Sequence, residues 1–257
     1  MKIIVFDLET CGLPGKPDTL TDKTNSPEGT MVSASNYQDH GRSGAHSPDW
    51  GDYRNVKSYT PRGEPVQMSA IVCDFNDLSI ERFISFYCMP TEPISDGAYR
   101  VHGISNKEIK KLSGGKFIED YLFEDYKDIF TSKGNIYMSY NIKFDRDVLI
   151  NTLEGYSVPI DMGQEVSSLS NLDPNKNYNL CLMKSYSALK SLLGVNAPNK
   201  RWTKLIEALE QLNYTKLDTV YKNLTTQFGL AQDASFHSAD YDTVAAWLLL
   251  YKMRLFL

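Results

Sequence analysis

Two carboxylates stand one residue apart at the end of an apolar run. The segment VFDLETCGLP, Val5 to Pro14, continues MKIIVF, whose aliphatic and β-branched residues read as a strand covered on both faces. On a strand, residues i and i+2 point to the same side, so Asp7 and Glu9 project as a pair. Two anions a few ångströms apart repel strongly at low dielectric unless something positive lies between them. Oxygen-only ligation of this kind suits Mg²⁺ or Mn²⁺, which keep several waters and leave room for a phosphate. An isolated D-x-E is also what a solvated strand end looks like. The apolar run before it and the Gly-Leu-Pro exit after it weaken that reading, and the cation reading requires further acids to converge.

Two later segments supply them. In NIKFDRDVLI, Asp145 shares a helical face with Asn141, Val148 and Leu149. An acid in an apolar stripe is costly unless a charge meets it. Asp147 lies nearly opposite on the wheel and reads as solvated. In FHSADYDTVAAWLLL, His237 and Asp242 would stand about 140° apart on one continuous helix, too far round to face one cluster. The spacing therefore predicts His237 on the loop before the helix, Ser238 as N-cap and Asp242 in the early turns. An imidazole aimed from the side suits a proton acceptor better than a ligand.

These residues need a scaffold. VQMSAIVCDF (Val66 to Phe75) and LSIERFISFYCM (Leu78 to Met89) read as a hairpin around FNDL. SNKEIKKL and the run from Phe117 to Phe130 read as helices. Asn135 to Tyr140 reads as a strand, followed by the helix NIKFDRDVLINTL with Asn141 at its N-cap. VPID is a short candidate strand. Helices are expected around Leu180 to Leu193, Trp202 to Leu212, Leu217 to Phe228 and from Ala239 onward. Strands first, then strands alternating with helices, predict a single α/β domain over 1–257 with a mixed sheet and helices on both faces. Residues 15–64, dense in Gly, Pro, Ser, Asp, Asn and Thr, form an insertion. It reads as a flap, an arm for a protein partner such as a replication or repair factor, or a disordered segment. His40 and His46, near Asp39 and Asp49, sketch a zinc site that lacks an ordered third ligand.

Composition narrows the class. At 42% hydrophobic and 23% charged, the 257 residues are those of an ordinary soluble globular protein. The net charge of −5 argues against a broad basic surface held on nucleic acid, while a local basic groove stays open. Cys11, Cys73, Cys88 and Cys181 form no CxxC pair, which disfavours a zinc ribbon and fits reduced thiols in a cytoplasm. No signal peptide is visible, since the apolar run reaches Asp7 within a few residues. AAWLLLYKMRLFL is interrupted by Lys252 and Arg254 and is too short to span a bilayer. A soluble, cytoplasmic protein without a membrane partner is expected.

FDLETCGLP, SYNIKFDRDVL and HSADYD resemble the three motifs of the DnaQ-like 3′→5′ exonucleases, in the branch with histidine in its third motif (DEDDh). ISDGAYRVHGIS is similar to the family's "vHGI" segment, and RWTKLIEAL to a W-P-K-L stretch, with Thr203 in place of proline. The resemblance covers most of the chain outside 15–64. It implies a ribonuclease H-like fold, a five-stranded mixed sheet flanked by helices on both faces. It implies that Asp7, Glu9, Asp145 and Asp242 hold two Mg²⁺ or Mn²⁺ ions, with Asp7 bridging them roughly 4 Å apart. Glu9 and Asp242 would complete the metal that carries the attacking water, and Asp145 would hold the second. His237 matches the general base, whose ordinary pKa of about 6.5 suits that role. His102 matches a contact to the terminal nucleotide, Thr10 and Cys11 lie where backbone groups hold the 3′ end, and Leu13 resembles an apolar wedge against the last base. Asn141 matches the asparagine of the second motif, and Phe144 is expected beside an unstacked base.

Two departures accompany the match: Tyr140 stands where the family often has histidine, and Gly97 where some proofreading subunits carry an acid. The reading is a metal-dependent 3′→5′ exonuclease releasing nucleoside monophosphates from single-stranded DNA 3′ ends. Its rivals are an exoribonuclease or oligoribonuclease of the same family, since no pattern here reads the 2′-OH, and a non-catalytic nucleic-acid-binding or scaffolding module on this fold. Arg42, Arg54, Lys57 and Arg62 of the insertion are expected to touch phosphates of the incoming strand, and NKRWTK (Asn199 to Lys204) to flank the groove or enter the core.

Overall fold

Nearly every residue of the first strand, β1 (Lys2–Thr10), faces protein rather than water, and this places it at the centre of the sheet. Its side chains alternate: Ile3 and Val5 enter one buried cluster, and Ile4, Phe6 and Leu8 enter another. The computed structural model describes residues 1–20, 61–154, 160–192, 205–212, 216–230 and 238–254. Among them are five further strands: β2 (Pro65–Asp74), β3 (Ile80–Tyr87), β4 (Asn135–Ser139), β5 (Gln164–Glu165) and β6 (Tyr178–Cys181). The sheet order is β3-β2-β1-β4-β6-β5. β1, β2 and β3 pair antiparallel, whereas β4 runs parallel to β1 and β6 parallel to β4. This is the mixed α/β sheet expected, with six strands where five were expected. The extra strand is a two-residue parallel edge beside β6, made of exposed polar residues with no periodicity to announce it.

Helices cover both faces. On one lie α6 (Leu182–Leu192), α7 (Leu205–Gln211), α8 (Leu217–Phe228) and α9 (Ala239–Arg254), packed on Ile3, Val5, Ile71 and Met138. On the other, α5 (Ile142–Thr152) buries Val148 and Leu149 against Phe6 and Leu8. The run from Phe117 to Phe130, expected as one helix, also lies there. It is α3 (Ile118–Asp120), a π-helical turn (Tyr121–Asp125) and α4 (Lys127–Phe130). A third cluster, with Cys11, Leu20, Val66, Ile94 and Ile109, closes the end of the sheet where β1 exits. It seats α1 (Asp96–His102), a helix not expected from the sequence, and α2 (Asn106–Leu112), which starts with the Ser105–Glu108 capping box.

Other boundaries moved. The helix expected from about Leu180 begins at Leu182, because Tyr178–Cys181 is the buried strand β6; a four-residue apolar run reads alike in either state. The described part of VPID, Ile160 and Asp161, is not a strand. The hairpin around FNDL forms as expected. No described helix is long and apolar enough to cross a membrane. The segment 15–64 is described only at its two ends, 15–20 and 61–64, and both are packed: Leu20 and Pro61 are buried, and Gly15 N–H donates to Pro61 O at 3.1 Å. His40, His46, Arg42, Arg54, Lys57 and the NKRWTK stretch lie outside the described residues.

The start of α9 is fixed to the sheet by one side chain and one backbone carbonyl of β2. Gln67 Oε1 accepts from Ala239 N–H at 3.1 Å, satisfying one of the amides a helix leaves open at its first turn. One turn on, Thr243 Oγ1 donates to Ser69 O at 3.3 Å. Gln67→Leu strips the buried Ala239 amide of its acceptor and is expected to lower the unfolding free energy by about 1–3 kcal/mol. Urea denaturation would report it as a lower midpoint at unchanged slope; an unchanged midpoint would show that this contact does not hold α9.

Candidate active site

Pairing register decides what sits beneath α9. Asp7 is opposite Ser69 and Glu9 opposite Gln67, so the two acids share a face with the two β2 residues on which α9 docks. The ladder is irregular just beyond, where Thr10 pairs with Pro65, and the strand turns away after Glu9. Asp242, in the first turns of α9, donates its amide to Ser238 O at 3.1 Å and turns its carboxylate toward the strand. One carboxylate oxygen from each of Asp7, Glu9 and Asp242 lies within 4.8 Å of the others.

Asp145 arrives from the other side. β4 ends at Ser139 and the chain enters α5 at Ile142, so Asp145 sits over the carboxyl ends of two adjacent parallel strands, the place where open α/β sheets bind ligands. Its side chain is buried on the same helical face as Val148 and Leu149, as the periodicity requires. Ser139 Oγ donates to Asp145 Oδ2 at 2.5 Å, and backbone amides, that of Leu8 among them, donate as well. Leu8 lies between Asp7 and Glu9, so this bond ties α5 to the acid-bearing strand. Asp147 instead forms surface ion pairs with Lys143 and Arg146.

Burial and mutual proximity raise the carboxyls of this cluster. Burial, then the charges of Asp145, Asp242 and Glu9, hold the Asp7 carboxyl well above the usual carboxylate range. Burial, then Asp242 and Asp145, push Glu9 up to about 9. Burial raises Asp145 to about 7 against the opposing pull of its hydrogen bonds. Among the described residues, no lysine or arginine is named as a cause for these three acids. Carboxylates with hard oxygen donors gathered in this way are a donor set suited to Mg²⁺ or Mn²⁺.

The remaining sequence candidates surround the exit of β1. Thr10 is buried, with Oγ1 donating to Gly12 O at 2.9 Å. Cys11 is buried and donates its thiol to Glu92 Oε1 at 3.0 Å. Leu13 is 49% exposed, an apolar side chain left in water at the rim. His102 is buried: Ile104 N–H donates to Nδ1 at 3.0 Å, so the proton sits on Nε2, which donates to Thr10 O at 3.1 Å. Its ring braces the end of β1. Asn141 is exposed at the N-cap position of α5 without a side-chain cap bond, and Phe144 is half-buried. His237 lies outside the described residues and by sequence immediately precedes Ser238. Sequence reasoning missed Gln67, Ser139 and Asp240. The buried Asp240 accepts from Tyr221 OH at 2.7 Å and from Tyr241 N–H at 3.0 Å, locking the first turn of α9 to α8. For Gln67 the available signal is a polar residue at a period-2 position of an otherwise apolar strand.

A family profile described as Exonuclease, that of RNase_T, matches residues 54–250, spanning β2, both later acids and most of α9. The chain belongs to this exonuclease family. The exonuclease fold is shared with solved structures. Exonuclease I, in a structure that suggests how processivity is achieved, is 17% identical with a TM-score of 0.53 over 99% of this chain and 41% of that one. E. coli Exonuclease I in complex with a 5cy-dA13 oligonucleotide is 16% identical with a TM-score of 0.52, over 99% and 40%. A full-length 3′-exonuclease is 14% identical with a TM-score of 0.50, over 99% and 60%. The chain thus spans about two fifths of the length of the exonuclease I chains it matches. No curated protein matches the sequence.

The raised carboxyls set the sign of two pH effects. A Glu9 that titrates at about 9 when folded and at 4.5 when unfolded holds its proton in the folded state, so metal-free stability falls as pH rises through that window. Cations compete with those protons. The rise in melting temperature produced by Mn²⁺ is therefore expected to be larger at about pH 8 than at about pH 6, as differential scanning fluorimetry would measure; equal shifts would argue against these acids as ligands. Asp7→Asn replaces a carboxyl whose charged form burial and its acidic neighbours disfavour, and at about pH 8 it is expected to raise metal-free stability by about 1 kcal/mol while abolishing the Mn²⁺ shift.

Proposed function

We propose that this chain is a divalent-metal-dependent 3′→5′ exonuclease that releases nucleoside monophosphates from the 3′ ends of single-stranded DNA, built as one exonuclease domain carrying the 15–64 segment as an insertion. The observation that carries this reading is the convergence of Asp7, Glu9, Asp145 and Asp242 at the carboxyl ends of β1 and β4. Family membership supports phosphodiester hydrolysis. A single-stranded DNA substrate is supported by the oligonucleotide bound to E. coli Exonuclease I, and attack from the 3′ end by the 3′-exonuclease that shares the fold.

Asp7, Glu9, Asp242 and Asp145 would hold two Mg²⁺ or Mn²⁺ ions, which when bound lower the pKa of a water and stabilise negative charge on phosphate oxygens. His237 takes the proton of the attacking water on its imidazole, from a position in sequence just before the helix that bears Asp242. Ser139 and the Leu8 amide keep the Asp145 carboxylate oriented. His102 fixes the Thr10 carbonyl, and backbone groups of Thr10 and Cys11 hold the terminal sugar. Leu13 lies against the last base, with Asn141 and Phe144 on the opposite rim.

The test uses matched 5′-labelled DNA and RNA oligonucleotides, single- and double-stranded. Mn²⁺-dependent release of mononucleotides, fastest on single-stranded DNA and abolished by EDTA and by Asp7→Ala, is expected. His237→Ala should lower the rate about 10²–10⁴-fold. Faster turnover of RNA would make the chain an exoribonuclease. No release from any substrate would make it a binding module, and a fully active Asp7→Ala protein would refute the site.

A further inference from the structure

Two side chains in the first turn of α9 grip α8, and a third faces the acids. Successive residues of a helix step round by about 100°, so Asp240 and Asp242 point to opposite sides. Asp242 turns toward Asp7 and Glu9, while Asp240 meets α8. There the two helices exchange partners. Tyr221 OH of α8 donates to Asp240 Oδ2 at 2.7 Å, and Tyr241 OH of α9 donates to Asp218 Oδ1 of α8 at 2.6 Å. Asp218 and Tyr221 stand three apart on α8 and so share one face. The rings of the two tyrosines lie 5.2 Å apart, tilted at 55°. Both tyrosines and Asp240 are buried. The Asp240 carboxylate also accepts from Ser238 Oγ and from Tyr241 N–H, the latter at 3.0 Å.

Apolar packing fixes the rotation of a helix about its axis only weakly. Leu217 and Leu224 of α8 join Val244 and Leu248 of α9 in one buried cluster, but hydrophobic attraction has no direction. Hydrogen bonds do. A helix with its side chains is about 10–12 Å across, so turning it by about 20° moves an oxygen at its rim by about 2 Å. That is the length of a whole metal–oxygen bond for Mg²⁺. On the sheet side, Gln67 and Ser69 hold Ala239 and Thr243, and the Tyr–Asp exchange grips the same turn from α8. A buried carboxylate is a costly way to join two helices that apolar residues of similar volume could join, and its best-attested use is to fix one register. Burial, then Asp218, raise the Tyr241 hydroxyl above its ordinary range, so it stays a donor.

We propose that Asp218, Tyr221, Asp240 and Tyr241 form a reciprocal clamp that sets the rotation of α9, so that Tyr221 and Asp218 are positioning residues for the Asp242 carboxylate and determinants of divalent-cation affinity. This rests on the metal-site part of the exonuclease reading and adds to it a determinant on a helix that carries none of the four acids. Removing a group that orients a metal ligand without touching the metal costs about 10–100-fold in affinity or activity.

The experiment reads the Mn²⁺ Kd of the full chain from the paramagnetic resonance signal of free aqueous Mn²⁺, together with mononucleotide release from a single-stranded oligonucleotide at saturating Mn²⁺. Tyr221→Phe removes one clamp hydroxyl and is expected to raise the Mn²⁺ Kd about tenfold while leaving the oligonucleotide KM as in the intact chain. Leu224→Ala loosens the same helix without touching the clamp, and is expected to lower the melting temperature with the Mn²⁺ Kd unchanged. Asp218→Ala takes the acceptor of Tyr241 OH away at an exposed position, so folding is preserved and the Kd should rise. Asp218→Asn, which keeps an acceptor oxygen, should restore it, and this pair decides the matter if Tyr221→Phe does not fold. An unchanged Kd in both Tyr221→Phe and Asp218→Ala, or an equal rise in Leu224→Ala, would overturn the clamp alone. Mn²⁺ binding by the intact chain without release of mononucleotides would overturn the exonuclease reading and not the clamp. An intact chain that binds no Mn²⁺ would overturn both.

Discussion

Mutual repulsion among four carboxylates is the constraint around which this molecule is organised. Asp7 and Glu9 come from one strand, Asp145 from a helix more than a hundred residues later, and Asp242 from another helix beyond that. Left to themselves, such groups move apart or into water. Here they are held together at the cost of carboxyls raised far from their ordinary range, and burial is the largest cause for Asp7, Glu9 and Asp145 alike. On the proposed reading, a divalent cation held by these carboxylates would restore the balance.

The scaffold resists the repulsion from two directions. On one face, the register that puts Ser69 beside Asp7 and Gln67 beside Glu9 also provides the acceptors on which α9 is seated, so the position of Asp242 follows from strand pairing. On the other, Ser139 and the Leu8 amide hold Asp145 over the ends of the parallel strands. Tyr221, Asp240 and Tyr241 add a buried polar network that joins α8 to α9. Such networks specify one arrangement when their members are satisfied. The acids are thus preorganised by backbone register and buried hydrogen bonds rather than by flexible side chains.

The acids were legible because their signals are local. Asp7 and Glu9 interrupt a core strand at period two, and Asp145 interrupts a helical stripe. What positions them was not legible in the same way. Gln67 matters through pairing with Glu9 and through an amide 172 residues away, and no local pattern announces a contact of that span. β6 was hidden because YNLC, buried throughout, reads equally as the start of the helix that follows. α1 was hidden by its seven-residue length and by Gly97, a poor helix former. The ends of the insertion read as loop by composition, yet Leu20 is fully buried in the cluster of Cys11, Val66, Ile94 and Ile109, a contact that no hydrophobic periodicity announces.

Function follows from geometry at the carboxyl ends of β1 and β4. There the carboxylate cluster gathers, with Leu13 exposed beyond the end of β1 and Asn141 exposed at the start of α5. The most direct test of the central claim is anomalous diffraction from crystals of the protein grown with Mn²⁺. A manganese peak within about 2.2 Å of carboxylate oxygens of Asp7, Glu9 and Asp242, with the Asp145 carboxylate turned toward it, is the predicted result. Manganese bound elsewhere, with these side chains pointing apart, would contradict it.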